Sequence, residues 1–170
     1  MTQREILPFG DPALRKKAKP VTELNEKLFK LLDDMAETLY AKEGRAGLAA
    51  PQVGILRRVI VMDCGSGLIE LINPEMLKMS GEQYGPEACL SFPDYTGNVK
   101  RAQKVKIGTL NRSGEWVEME GEGFLARCMQ HEMDHLDGKL FIDHVNEPFL
   151  YHEHTNHKIS LMEVIRLSNS

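Results

Sequence analysis

The sequence predicts an α+β fold in which small antiparallel β-sheets pack around a central helix. Two segments place apolar residues at helical spacing, and two pairs of segments rich in β-branched residues are each separated by a short turn. The chain shows neither an alternation of single strands with helices nor an internal repeat. Hairpins that lie between two helices in this way favour α+β over a parallel α/β fold.

The first predicted helix begins at Thr22, a residue type that caps helix N-termini, and stops at Gly44. Its apolar side chains recur every three or four residues, namely Leu24, Leu28, Leu31, Leu32, Met35 and Leu39. Such a stripe is typical of a helix that packs on a core. We therefore assign no chemistry to it.

Two hairpins are predicted after this helix. Residues 58–63 and 68–73 flank a turn that contains two glycines, and residues 104–110 and 116–122 flank polar turn residues. Residues 87–91 form a short segment between the two hairpins. Helical spacing returns over residues 124–136 and stops at Gly138, which predicts the central helix. Residues 161–167 favour a short closing helix.

Length and composition exclude several classes of protein. A chain of 170 residues corresponds to one domain, and 21 Lys and Arg against 25 Asp and Glu leave no basic surface to attract nucleic acid or anionic lipid. The first ten residues lack a signal-peptide core, and no apolar run reaches the roughly 20 residues that span a bilayer. Three cysteines are too few for a disulfide framework. We expect a cytoplasmic protein.

Residues 131–135 read His-Glu-Met-Asp-His, the H-E-x-x-H arrangement. On a helix, His131 and His135 lie on one face about one turn apart, so both imidazoles can bind one metal ion. Glu132 can accept a proton from a water at that ion. The segment therefore predicts a catalytic metal site, which also needs a third protein ligand.

The sequence offers several candidate positions for that third ligand. The metzincin pattern would place a histidine at Phe141 and is excluded. Cys128 lies roughly 7.5 Å along the helix axis from the midpoint of the two histidines, too far for a metal–sulfur bond of about 2.3 Å. Glu153 lies in a polar stretch without helical spacing, and Cys89 could approach from a neighbouring element. The residue pattern alone leaves both open.

Three segments, in order, resemble the motifs of the peptide deformylases: Gly-Leu-Ala-Ala-Pro-Gln at residues 47–52, Glu-Ala-Cys-Leu-Ser at residues 87–91, and Gln-His-Glu-Met-Asp-His-Leu at residues 130–136. The opening residues also resemble the start of the family, so the likeness extends from about Ile6 to His144. The family fold is α+β, with small antiparallel sheets around the helix that carries the histidines. This agrees with the fold predicted above.

The resemblance implies three metal ligands, namely Cys89, His131 and His135. It implies that Glu132 is the general base and acid, and that Gln52 and the backbone N–H of Leu90 stabilise the oxyanion. The implied reaction removes the formyl group from nascent chains that begin with formylmethionine and releases formate. The implied ion is ferrous iron, although zinc, nickel and cobalt also suit such ligands.

Two positions depart from the family pattern, because Arg45 and Ala88 stand where the family usually has glycine. Together with Gly47 they are expected to border the substrate. A positive φ at either departure would strain the site by about 1–3 kcal/mol. Two placements of the Arg45 side chain are open: it narrows the cleft entrance or adds positive charge there, or it is exposed to solvent. Glu87 is expected to pair with Arg101 and orient the cysteine loop.

We expect residues 1–146 to form the catalytic region and residues 147–170 a tail within the same single domain. The histidines near and within the tail, His144, His152, His154 and His157, favour a solvated loop over a second metal site. A transient ribosome contact has no strong electrostatic support, given the net charge of -4.

Two alternative functions remain open from the sequence. The first is a zinc endopeptidase that uses Glu153 as its third ligand and does not depend on Cys89. The second is a non-catalytic protein that binds N-terminal peptides, with Arg45 and Ala88 as marks of lost turnover. The presence of Glu132 and Gln52 argues against the second alternative.

Overall fold

Residues 2–169, the part of the chain that this computed structural model describes, contain three α-helices, three short 3-10 helices and nine antiparallel strands. The α-helices are α1 (Glu26–Tyr40), α2 (Phe124–Leu136) and α3 (Leu161–Ser168). The strands are β1 (Gly47–Ala49), β2 (Val59–Met62), β3 (Ile69–Ser80), β4 (Gln83–Cys89), β5 (Phe92–Arg101), β6 (Lys104–Leu110), β7 (Trp116–Glu122), β8 (Phe149–His152) and β9 (Lys158–Ser160). One sheet has the order β1-β2-β3-β6-β7 and the other β4-β5-β8-β9, which confirms the α+β prediction.

Strand β2 lies at the centre of the core because both of its faces are covered. Val59 and Val61 pack on α1, whereas Ile60 and Met62 pack on the side of α2. All four side chains are fully buried. The alternation follows from the two-residue period of a strand, which sends successive side chains to opposite faces. Helix α2 is thereby held against the five-stranded sheet.

The start predicted for α1 was wrong. The helix begins at Glu26 and not at Thr22, because Asn25 provides the cap: its side chain accepts a hydrogen bond from Leu28 N at 3.0 Å. The helix ends at Tyr40, before Gly44. Its predicted apolar stripe does face the core, as residues 28–39 of the stripe are buried.

Both predicted hairpins are confirmed, with Val59 opposite Ile72 in one and Lys104 opposite Glu122 in the other. The bounds of α2, β6 and β7 are those that the sequence predicts, and the closing helix is present as α3. Strand β3 is longer than expected and runs on to Ser80, with a register shift after Ile72.

Residues 87–91 do lie between the two predicted hairpins, but the strands on either side of them were not predicted. These residues lie in a long hairpin of β4 and β5 whose tip is the two-residue turn Leu90–Ser91. Of the tail histidines expected in a solvated loop, His154 and His157 are exposed between β8 and β9, whereas His152 lies in β8 opposite Tyr95, and β8 and β9 add to this sheet. Within residues 2–169, no helix combines the length and apolar character needed to cross a membrane.

Candidate metal centre

The two histidines of α2 and the cysteine that ends β4 converge at one buried point. The ligand atoms of Cys89, His131 and His135 all lie within 4.8 Å of one another, and all three residues are buried. Cys89 Sγ is 3.4 Å from His135 Nε2. Helical spacing brings the histidines onto one face, and the β4–β5 turn brings the thiol to that face.

Local packing explains why Cys89 points inward. It is the last residue of β4, opposite Phe92, and its side chain joins an apolar cluster with Phe9, Val99 and Phe141. Phe9 N donates a hydrogen bond to Ser91 O at 2.9 Å, which anchors the turn to the N-terminal segment. The cysteine is therefore held on a rigid element.

Burial shifts the pKa values of His135 and Glu132 in opposite directions. It lowers the pKa of His135 well below the usual range, so the imidazole is neutral and has a lone pair for a metal. Burial also raises the pKa of Glu132 to about 7. Glu132 Oε1 has no hydrogen-bond partner among the described residues. An unpartnered buried carboxylate oxygen beside metal-type ligands is an acceptor that a bound water would satisfy.

Gly47 makes room for this carboxylate. An alanine Cβ at position 47 would lie 2.5 Å from Glu132 Oε2 and 2.9 Å from its Cγ. The backbone of β1 thus passes directly against the glutamate. Since β1 is an edge strand of its sheet, the glutamate lies beside an edge with unpaired backbone groups.

The side-chain amide of Gln52 is fixed from both ends. Its Oε1 accepts from Ala49 N at 3.0 Å, so its Nε2 faces Ser91 Oγ at 3.2 Å and Cys89 Sγ at 3.6 Å. The donor end therefore points toward the ligand cluster. Leu90 follows Cys89 in the turn, which places its backbone N–H next to the thiol. Ser91 was missed by the sequence reasoning, although it belongs to the second motif.

The expected pair of Glu87 and Arg101 is present, with two hydrogen bonds of 2.7 and 2.8 Å. Glu87 Oε1 also lies 2.9 Å from His131 Nδ1. Burial alone would raise the pKa of Glu87, but the contacts with Arg101 and His131 outweigh it and hold the pKa below its usual range. The carboxylate therefore stays ionised and fixes the ring orientation of His131.

Arg127 and Asp134 extend this network and were not found from the sequence. Arg127 Nη1 donates to Glu87 Oε2, and Arg101 Nη1 donates to Asp134 Oδ2, each at 2.7 Å. His144 Nε2 lies 3.0 Å from the same oxygen of Asp134. Asp134 lies within the H-E-x-x-H segment but at one of its free positions, and Arg127 lies outside the quoted motifs, so the sequence indicated a partner for neither residue.

The two departures from the family pattern carry no backbone strain. The non-glycine residues with positive φ in the described chain are Asn73, Asp94 and Asn156, so neither Arg45 nor Ala88 belongs to that set. Ala88 is exposed on β4. Arg45 is half-buried, and its guanidinium donates to Thr38 O at the end of α1. Part of the Arg45 guanidinium is thus engaged by the helix.

The structure does not support Glu153 as a metal ligand. Glu153 is exposed in the turn between β8 and β9 and is not part of the ligand cluster. Among residues 2–169, His152, His154 and His157 also form no metal-type group. Cys128 is buried in the apolar core, as expected. The endopeptidase alternative was therefore wrong.

Two imidazoles from an H-E-x-x-H helix, a thiol from a second element and a buried glutamate form a group that could hold a metal ion, as in the class of metal-dependent hydrolases. Comparison with known proteins narrows this class. The family model described as polypeptide deformylase matches residues 3–149, so the chain belongs to that family and is a hydrolytic enzyme.

The relatives cover most of the chain. A peptide deformylase of Caldanaerobacter subterraneus subsp. tengcongensis is 58% identical over 145 residues, 85% of this chain and 91% of that protein. The crystal structure of the Thermotoga maritima peptide deformylase has a TM-score of 0.83 at 47% identity and covers 86% of this chain and 100% of that one. The Synechococcus elongatus peptide deformylase in complex with actinonin has a TM-score of 0.82 at 34% identity, covering 97% and 85%.

Proposed function

We propose that Cys89, His131 and His135 hold the single divalent ion of an enzyme that removes the formyl group from N-terminal formylmethionine. The activity is that of the family to which the chain belongs. The observation that carries the assignment of residues is the convergence of three buried ligand atoms within 4.8 Å, next to the unpartnered Glu132. The products are formate and a free N-terminal methionine.

The donor set fits a borderline-soft divalent ion, since it combines one thiolate with two imidazoles. We propose ferrous iron in the cell, with zinc, nickel or cobalt as ions that the same ligands accept. When bound, such an ion lowers the pKa of water and polarises a carbonyl oxygen. The contact of Glu87 with His131 Nδ1 leaves the other ring nitrogen, Nε2, to face the ion.

Glu132 is proposed as the proton carrier. Because its pKa is raised to about 7, it can accept a proton from the attacking water and return it to the leaving amine at neutral pH. Gln52 Nε2 and the backbone N–H of Leu90 are proposed as donors to the formyl oxygen as it gains negative charge. The contact of Gln52 Oε1 with Ala49 N supports this role, because it fixes which end of the amide faces the centre.

The substrate is proposed to bind as an extended chain along β1. This strand is an edge of the five-stranded sheet, and its backbone at Gly47 runs directly against Glu132. Arg45 precedes β1, and Ala88 lies on β4 next to Cys89. We propose that both border the bound peptide. Their lack of positive φ supports an intact cleft and argues against the non-catalytic alternative.

The enzyme is proposed to act in the cytoplasm on nascent chains, with at most a transient ribosome contact. Residues 1–146 and 147–170 are proposed to work as one unit. Packing of the tail supports this, since Leu150, Leu161 and Val164 share an apolar cluster with Cys89 and Phe141.

Metal content tests the ligand assignment. The wild-type protein, purified with ferrous iron under nitrogen or with nickel, is expected to hold one ion per chain. Cys89→Ala should lose most of that ion and the release of formate, whereas Glu153→Ala should keep both. A Cys89→Ala protein that is folded, fully metallated and active would contradict the proposed ligand set.

A further inference from the structure

Arg127 occupies an unusual place for a helix arginine, because its side chain is only 8% exposed. It lies on α2 one turn before His131, so both side chains project from the same face of the helix. Both contact the carboxylate of Glu87: Arg127 Nη1 at 2.7 Å from Oε2, and His131 Nδ1 at 2.9 Å from Oε1. Two side chains of α2 thus contact the two carboxylate oxygens of Glu87 on β4.

Glu87 is two residues before Cys89 on the same strand. The metal ligands come from two separate elements, Cys89 from β4 and the histidines from α2, so the site exists only if the two elements keep a fixed separation. Arg127 also donates to Val99 O of β5 at 3.0 Å and to Gln83 Oε1 at 3.3 Å. It therefore fastens both strands of the hairpin to the helix.

Arg101 makes a second link between the hairpin and α2, because it contacts both Glu87 of β4 and Asp134 of α2. Its Nε and Nη2 bind Glu87, but its Nη1 is 2.7 Å from Asp134, so its charge is shared between two carboxylates. Arg101 is also part of the hairpin, at the end of β5. Arg127 is the arginine of α2 itself that contacts Glu87, so its link between helix and strand does not pass through a second carboxylate.

We propose that Arg127 is a positioning residue that sets the distance between Cys89 and the two histidines by clamping the β4–β5 hairpin onto α2 through Glu87. The inference rests on the proposed metal ligands. It predicts that loss of Arg127 weakens retention of the ion, although Arg127 touches neither the ion nor the substrate. Outer contacts of this kind are worth about 10- to 100-fold in metal affinity.

The test measures how fast a chelator removes cobalt from the loaded enzyme, together with the thiolate-to-cobalt absorption band. Arg127→Met is expected to release the ion about 10- to 100-fold faster and to weaken or shift the band. Arg127→Lys keeps the charge but loses the planar guanidinium, whose Nη1 contacts Glu87 and Val99 O and whose Nε contacts Gln83, so it should lie between this variant and the wild type. Arg112→Met is the matched control, because Arg112 also binds a glutamate, Glu70, but has no link to Glu87.

Release rates and cobalt spectra equal to wild type in Arg127→Met would overturn the inference. If Arg127→Met does not fold, Arg127→Lys decides, and a wild-type release rate in that variant would overturn it. Failure of the underlying metal site looks different, because the wild-type protein itself would then hold no stoichiometric cobalt. Equal acceleration in Arg112→Met would show a general loss of stability and would also overturn the inference.

Discussion

Gly47→Ala is the substitution that most directly tests the packing of the catalytic glutamate. The added Cβ would lie 2.5 Å from Glu132 Oε2. The substitution causes no backbone strain, because Gly47 does not have a positive φ. From 2.5 Å to an ordinary contact of 3.4 Å is a retreat of about 0.9 Å for the carboxylate. The three heavy atoms nearest to the new methyl group all belong to Glu132 and none to a ligand residue.

The expected result is a loss of kcat with little loss of metal. A misplacement of about 1 Å in a catalytic group can cost about 100-fold in rate, which corresponds to about 2.7 kcal/mol in the activation barrier. Overpacking of a buried site should also lower the free energy of unfolding by about 1–3 kcal/mol. The two effects are separated by measuring formate release and urea denaturation on the same preparation.

Gly85→Ala is the matched control. Gly85 is also a strand residue without positive φ, but its added Cβ would meet only Arg127 Nη2, at 3.6 Å. We expect this variant to keep wild-type kcat. A Gly47→Ala enzyme with full metal content and wild-type kcat would refute the placement of Glu132 against β1.

Three further predictions follow from the same structure. Gln52→Ala should lower kcat by about 100- to 1000-fold while metal content stays at one ion, and unchanged kcat would exclude Gln52 as an oxyanion donor. Glu87→Gln should lower the free energy of unfolding by about 3–5 kcal/mol and speed metal loss, because buried Arg127 loses its counter-charge and Arg101 keeps only Asp134; a wild-type urea midpoint and release rate would contradict this. Asp34→Asn should be less stable than wild type at pH 7, because Arg4, Lys30 and a backbone N–H outweigh burial and hold the pKa of Asp34 below its unfolded value. That stabilisation exists above the unfolded pKa and is lost as pH falls through the folded pKa, so the two unfolding curves should converge in acid; a gap independent of pH would refute the assignment.

Elements defined by local pattern were predictable from the sequence. Helix α2 and strands β6 and β7 have the bounds that periodicity predicts, because their apolar spacing and turn residues are unambiguous. The β4–β5 hairpin was not predictable in this way, because it contains Gly85, Pro86 and Pro93, residue types that are rare in strands. Strand β5 also pairs with β8, which is distant in sequence and so leaves no local signal.

The residues of the candidate site also differ in whether the sequence alone could predict them. Spacing alone identified His131 and His135, and the likeness to a family suggested Cys89, whose approach to the helix depends on a hairpin that local pattern did not reveal. Arg127 could not be assigned, because an arginine on a helix is expected to be exposed. Only docking of β4 and β5 on α2 buries it and supplies its partner Glu87.

Formate release from a formylmethionyl peptide tests the central claim most directly. The enzyme would be loaded with ferrous iron without oxygen, or with nickel, beside a Glu132→Ala variant of equal metal content. The account predicts rapid release by the wild type and loss of release in Glu132→Ala, because the ligands remain but the proton carrier is gone. No release by folded, metal-loaded wild type, or undiminished release by Glu132→Ala, would contradict it.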